Sequence, residues 1–256
     1  MAEGDYIDSF DTSAHNADPI GITTDGTNIW TLDYASKNVE KRAMNGDYIS
    51  EWSLTSQTYC YSITTNGTNI YILEASASPE IYKYTMAGTY VSKVNFTSGI
   101  YGIEIIGSYF YATDLPNTRV SKFDLDGTYV SSWSTNVDNT GFRDLTSDGT
   151  HIWVMDYTDL EVYKYEIDGT YVSSWSLTGA NTNVWGIATN GINIWAIDRT
   201  DDEVYKYEGP AVGTNMQINI SDTFKDVDSI QINIGDAWKD VIEVQQNIGD
   251  VWKTVY

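Results

Sequence analysis

The chain repeats itself roughly every 41 residues, and this period limits its possible folds more than any other feature. The turn glycines Gly26, Gly67, Gly107, Gly149 and Gly191 are spaced 41, 40, 42 and 42 residues apart. Four residues after each stands an aromatic: Trp30, Tyr71, Tyr111, Trp153 and Trp195. Seven after each stands an acid: Asp33, Glu74, Asp114, Asp156 and Asp198. A lysine follows at Lys41, Lys83, Lys122, Lys164 and Lys206. A second turn then runs into a Tyr-Val-Ser-Ser-Trp type segment, as in Asp168-Gly169-Thr170-Tyr171 leading to Trp175.

Within a unit, short apolar or alternating segments lie between Asn-Gly and Asp-Gly dipeptides, which supply the positive φ of tight hairpins. The fourth unit reads as strands at Asp144–Ser147, Ile152–Asp156, Val162–Ile167 and Tyr171–Trp175. Four short strands in about 42 residues make one propeller blade. The ends give the count. Gly4 to Phe10 matches Gly127 to Trp133, the fourth strand of a blade, whereas the fifth unit, Gly186 to Glu208, has only three strands. The expected fold is therefore all-β: a five-bladed β-propeller over residues 1–208, closed by its own N-terminal strand, which removes two open sheet edges.

The segments Tyr111-Ala-Thr-Asp114, Asn117 to Gly127 and Pro19 to Gly26 resemble NHL-type propeller repeats. That resemblance implies a binding platform or scaffold and, in some members, a lyase. Members of that family often have six blades, so five is a departure.

After residues 209–215, read as a linker, the period drops to 14. Three units over 216–256 place Phe224, Trp238 and Trp252 at equivalent positions, each unit reading as strand, Gly-Asp or Ser-Asp turn, strand. About 40 residues without disulfides make a marginal core alone. The expectation is three β-hairpins that form an assembly or docking module around those aromatics. The Ile-Gly-Asp-Ala-Trp-Lys pattern is similar to short C-terminal repeats of tail and other virion proteins of bacterial and archaeal viruses. That likeness implies self-association and a virion or extracellular surface location.

Formal net charge is −22, with 36 acidic and 14 basic residues, which disfavours nucleic acid as a partner. Residues 1–20 lack the basic and apolar regions of a signal peptide, and no stretch is apolar enough for membrane insertion. The single cysteine, Cys60, forms no intrachain disulfide and has no catalytic partner nearby in sequence.

Function is expected on the face carrying the loops that vary between units. Tyr61, Tyr101, Arg143 and Trp185, with Ile20, stand just before the inner strands and should ring the channel mouth. Tyr34, Tyr157 and Arg199 follow the repeated acids and should lie farther out on the same face. Aromatics with Arg, Asn and Asp suit a protein partner or a cell-surface glycan; they equally suit a plug of the channel. The repeated acids are read as structural, capping a turn or pairing locally. No cofactor or metal is assigned; Asp124-Leu-Asp126-Gly127 has only part of a calcium loop. His15 and His151 are the only histidines and form no cluster, so the chain is expected to be a binding or structural protein and not an enzyme. A lectin-like glycan binder and a carbohydrate-active enzyme with paired channel carboxylates remain alternatives.

Overall fold

The computed structural model describes residues 2–55, 57–76, 78–96, 99–135, 141–177 and 181–210, and by backbone pairing alone 231–234, 237–240, 245–248 and 251–254. Residues 1–211 form one compact unit and 212–256 a second.

The first unit is a ring of five four-stranded antiparallel sheets. The closing strand β1 (Tyr6–Asp11) precedes blade one, β2 (Pro19–Thr24), β3 (Asn28–Asp33), β4 (Asn38–Ala43) and β5 (Tyr48–Ser53). Blade two is β6 (Cys60–Thr65), β7 (Asn69–Glu74), β8 (Glu80–Thr85) and β9 (Tyr90–Asn95). Blade three is β10 (Ile100–Ile106), β11 (Tyr109–Asp114), β12 (Arg119–Asp124) and β13 (Tyr129–Ser134). Blade four is β14 (Phe142–Ser147), β15 (His151–Asp156), β16 (Glu161–Glu166) and β17 (Tyr171–Ser176). Blade five is β18 (Val184–Thr189), β19 (Asn193–Asp198) and β20 (Glu203–Glu208), and its outer strand is β1.

Strand burial follows position in the blade. The second strand has blades packed on both its faces and reads as a nearly unbroken buried run, as in His151–Asp156 and Asn193–Asp198. The outer strand faces solvent and keeps few inward side chains, as in Tyr171–Ser176. The apolar core thus sits between blades, with Trp30, Trp153 and Trp195 among its largest fully buried side chains. In every blade the lysine pairs across the ladder with that aromatic, as in Trp153↔Lys164 and Trp195↔Lys206. The ammonium lies 5.1 to 5.9 Å from the ring centroid in all five blades, a cation–π contact for each.

Strand β1 closes the ring with the pairs Tyr6↔Tyr207, Phe10↔Val204 and Asp11↔Glu203. Backbone bonds from Gly4 N to Glu208 O (2.9 Å) and from Thr12 N to Asp202 O (2.8 Å) extend the zipper at both ends. Glu3 reaches on to blade four: its carboxylate accepts from Trp153 Nε1 at 2.7 Å and from Lys164 Nζ at 3.0 Å.

A second device recurs at four of the five joints between blades. The outer-strand aromatic of one blade packs on the turn glycine of the next: Trp175 on Gly4, Phe10 on Gly46, Trp52 on Gly88 and Trp133 on Gly169. At the fifth joint Val94 takes the place of the aromatic against Gly127. At Gly88, φ is +84° and an added Cβ would stand 2.4 Å from Trp52 Cδ2, so both backbone and space demand glycine.

In the second unit β21 (Gln231–Ile234) pairs with β22 (Ala237–Asp240), and β23 (Gln245–Ile248) with β24 (Val251–Thr254). Trp238 and Trp252 stand opposite Asn233 and Asn247, the same place in each hairpin. The first 14-residue unit with Phe224, and the linker beyond residue 210, lie outside the described residues. Among the described residues no helix is long and apolar enough to cross a membrane.

The glycine device is tested by a matched pair of substitutions. Gly67 also has positive φ (+78°), but nothing lies within 4 Å of its would-be Cβ. Gly67→Ala is expected to cost about 1–2 kcal/mol from backbone strain alone. Gly88→Ala should cost about 1–3 kcal/mol more because Trp52 must move. Urea unfolding of both variants checks the difference.

Candidate functional site

The innermost strand of each blade carries one irregularity near its start. The ladder shifts register between Pro19 and Gly21, Cys60 and Ser62, Ile100 and Ile103, Phe142 and Asp144, and Val184 and Gly186. The residues inside these bulges are Ile20, Tyr61, Tyr101 with Gly102, Arg143 and Trp185. The sequence places them just before the inner strands; the structure puts them within the strands, because the bulge lets pairing resume on the far side. A bulge re-aims a side chain. Here the bulge recurs once per blade, around one channel.

The second set is positioned from the other loops. The amides of Tyr34, Tyr157 and Arg199 donate to the carbonyls of Asp18, Gly141 and Asn183, at 2.9 to 3.1 Å. The repeated acids hold the same loops. Asp198 Oδ2 accepts from the amides of Thr182 (2.6 Å) and Asn183 (2.8 Å), and its Oδ1 from Thr200 (2.7 Å). Asp33 ties Ala17 and Asp18 to Ser36, and Asp156 ties Gly141 to Thr158. Glu74 accepts from Thr58, while Asp114 accepts from Asn117 and Arg119. All five carboxylates are occupied by N–H or O–H donors; Asp33, Asp156 and Asp198 staple two loops of their blades together, whereas Glu74 and Asp114 each hold one side.

The seven side chains come together. Tyr61 lies 5.6 Å from Tyr34, 6.2 Å from Tyr101 and 6.3 Å from Trp185, ring centroid to centroid. Arg143 stacks 3.7 Å over Trp185 and 4.5 Å over Tyr157. Arg199 lies 4.8 Å over Trp185 and 5.0 Å over Tyr34. Trp185 donates its indole N–H to Asn183 Oδ1 at 2.8 Å, and Arg199 grips Asp18 in bidentate fashion. Ile20 departs from the expected ring: it is fully buried, in a cluster against which Tyr34, Tyr61 and Trp185 pack. An aliphatic side chain gains by burial and cedes the mouth to its aromatic neighbours. The segments 136–140 and 178–180, parts of two variable loops, lie outside the described residues, as do 56, 77 and 97–98.

Beneath the mouth lies a polar floor. Asp144 of blade four accepts from Ser62 Oγ of blade two at 2.9 Å, and these blades are not neighbours, so the bond crosses the channel. Its other oxygen accepts from Ile187 N of blade five at 3.2 Å, and Ser62 Oγ accepts from Ile103 N of blade three at 3.1 Å. Gly102 makes room for this crossing: a Cβ there would stand 2.6 Å from Asp144 Oδ1. Two strand positions further, Glu104 accepts from Thr64 Oγ1 at 3.1 Å and from Ile105 N at 3.1 Å. Burial pushes the Asp144 carboxyl up to about 7. It pushes Glu104 up to about 8, with the Asp144 charge adding to the rise. The channel thus holds the carboxylate pair that spacing along the chain could not reveal. A signal was present all the same. The column after the bulge reads Gly21, Ser62, Gly102, Asp144, Gly186, and two further on Thr23, Thr64, Glu104, Thr146, Ala188. Each acid is the one charged residue in a column of small neutral ones. Cys60 is buried and its thiol is pushed up to about 12, so it is not a nucleophile near neutral pH.

No family model matches the chain, and no curated protein matches it. Solved structures do. The fold is similar to a glutaminyl cyclase of Myxococcus xanthus, with TM-score 0.67 and 12% identity over 81% of this chain and 98% of that one. It is similar to a structural genomics protein of unknown function from Bacteroides thetaiotaomicron, with TM-score 0.56 and 12% identity over 80% of this chain and 73% of that one. It is also similar to a chain of a nidogen–laminin complex, with TM-score 0.52 and 19% identity over 66% and 67%. At such identities the likeness extends to the fold alone. Because one of these propellers is an enzyme, the architecture gives no support to the expectation that the chain lacks catalytic activity. What the comparisons establish is the fold: an all-β, five-bladed β-propeller.

Both channel carboxyls hold protons more tightly in the folded chain than in the unfolded one. Their contribution to stability is full at low pH and lost as pH rises from the ordinary carboxylate range to about 7 and 8. Glu104→Gln mimics the protonated acid. Its stability relative to the parent should therefore rise between pH 5 and 8 and level off above about pH 8, as denaturant unfolding across that range would show.

Proposed function

We propose that this protein is a binding module whose ring presents the aromatic and arginine mouth to a partner or ligand. The observation that carries the reading is the convergence of Tyr34, Tyr61, Tyr101, Arg143, Tyr157, Trp185 and Arg199 on one mouth. Four of these side chains are aimed by the bulges of the inner strands, and the other three stand on loops that differ between blades. Aromatic faces with guanidinium edges suit a glycan or a protein surface. The likeness of the repeats to NHL-type platforms, and the shared ring of the nidogen–laminin chain, support the same class of role. The test is a glycan and peptide binding screen of the parent and of Tyr61→Ala and Trp185→Ala variants. A ligand of the parent should lose about tenfold or more in affinity with either variant. Ligands bound equally well by all three chains would place the site elsewhere.

The C-terminal hairpins complete the proposal as an assembly or docking module. Their likeness to virion repeats supports a place on a particle or at a cell surface. Light scattering should then give an oligomer for the full chain and a monomer for a chain ending at residue 210. A monomer in both cases removes the assembly role.

One observation favours a second reading, catalysis in the channel. Asp144 and Glu104 titrate near neutrality directly below the mouth, as acid–base groups do. Turnover of any mouth ligand that Glu104→Gln or Asp144→Asn abolishes would replace the binding reading with an enzymatic one.

A further inference from the structure

We propose that Arg143 anchors a single carboxylate on a bound sugar ring, so that the mouth takes a uronic-acid residue of an acidic glycan. The inference rests on the mouth being the binding site.

The chain has four arginines, and among the described residues three are paired. Arg42 bonds Glu40 at 2.8 Å, Arg119 bonds Asp114 at 2.8 Å, and Arg199 bonds Asp18. Arg143 has no carboxylate partner among the described residues. This is unexpected in a chain with 36 acidic and 14 basic residues, where an arginine left to chance meets a carboxylate easily. The guanidinium instead lies over Trp185 and Tyr157, and its Nε is buried without a hydrogen-bond partner among the described residues. Burial holds its pKa below the ordinary arginine value, yet the group stays charged. A desolvated cation with an unanswered N–H is costly by itself and favours an anion that arrives with the ligand.

The neighbouring arginine shows what that anion looks like. Arg199 rests on the same Trp185 ring and gives Nε to Asp18 Oδ1 and Nη2 to Oδ2, the second at 3.1 Å. A planar fork taken by a planar carboxylate is the strong form of this contact. Arg143 has the same support and lacks that partner. Around it stand Tyr61, Tyr101 and Tyr157, whose faces receive the C–H surface of a pyranose and whose hydroxyls bond its oxygens. Net charge sets the upper limit on the ligand: at −22 the protein repels a dense polyanion, while one carboxylate per ring is admitted.

Saturation-transfer NMR titrations with methyl glucuronoside, methyl glucoside and N-acetylglycine test this on the full chain. The glucuronoside is expected to bind about tenfold or more tightly than either of the others. Arg143→Gln should erase that preference and Arg143→Lys keep part of it, with thermal melts confirming that both variants fold. Equal affinity for glucoside and glucuronoside, or a preference that survives in Arg143→Gln, overturns the carboxylate anchor. N-acetylglycine matching the glucuronoside overturns the sugar. Binding of none of the three overturns the inference as a whole. The mouth as a site then stands or falls separately on the Tyr61 and Trp185 variants.

Discussion

Everything in this ring depends on one antiparallel ladder between the two ends of the propeller. Strand β1 is far in sequence from β20, and their pairing makes the fifth blade whole. Without it blade five would lack its outer strand. It would also lack the glycine at Gly4 that receives Trp175 and the Phe10 ring that seats on Gly46. Those two contacts are the inter-blade joints on either side of blade five. Glu3 adds a clasp to blade four through Trp153 and Lys164. A stack of identical blades has no natural end, so closure is what turns a repeat into a domain with a defined axis.

Closure gives the inner strands a common centre, and the bulges use it. A regular strand would alternate its side chains between the two faces of the blade. The register shift at the start of each inner strand breaks that alternation, and in four of the blades it sends Tyr61, Tyr101, Arg143 and Trp185 toward the mouth. Immediately below, small residues at Gly21, Gly102 and Gly186 let the strands approach closely. That leaves space for Asp144 to reach across to Ser62. Mouth and floor therefore follow from one local irregularity, repeated five times, next to one column of small side chains.

Much of this was legible from residue spacing. The repeated Asp at the end of the second strand could be read as a local staple, and its hydrogen bonds to loop amides are of that kind. The residues of the mouth could be named because blade symmetry carries a position from one unit to the next. The exception, Ile20, shows the limit of symmetry: equivalent positions share a backbone, while burial depends on which side chain is there. The pairing of each lysine with the aromatic of its own blade was hidden although both columns were visible, because facing positions depend on ladder register. Asp18, which fills the fork of Arg199, carried no signal in spacing because that contact joins residues 181 apart.

The amino-acid sequence by itself determined the blade, the number of blades and the strand that closes them, since these rest on periodicity and on turn residues whose backbone preferences are local. It also determined which loops differ and so which face bears individuality. Only the tertiary structure decided what those loops make together. The mouth gathers side chains from all five blades, and Asp144 and Glu104 gain their raised pKa values from enclosure by strands of other blades. Burial and contact across a ring axis are properties of closure, and no window of consecutive residues contains them.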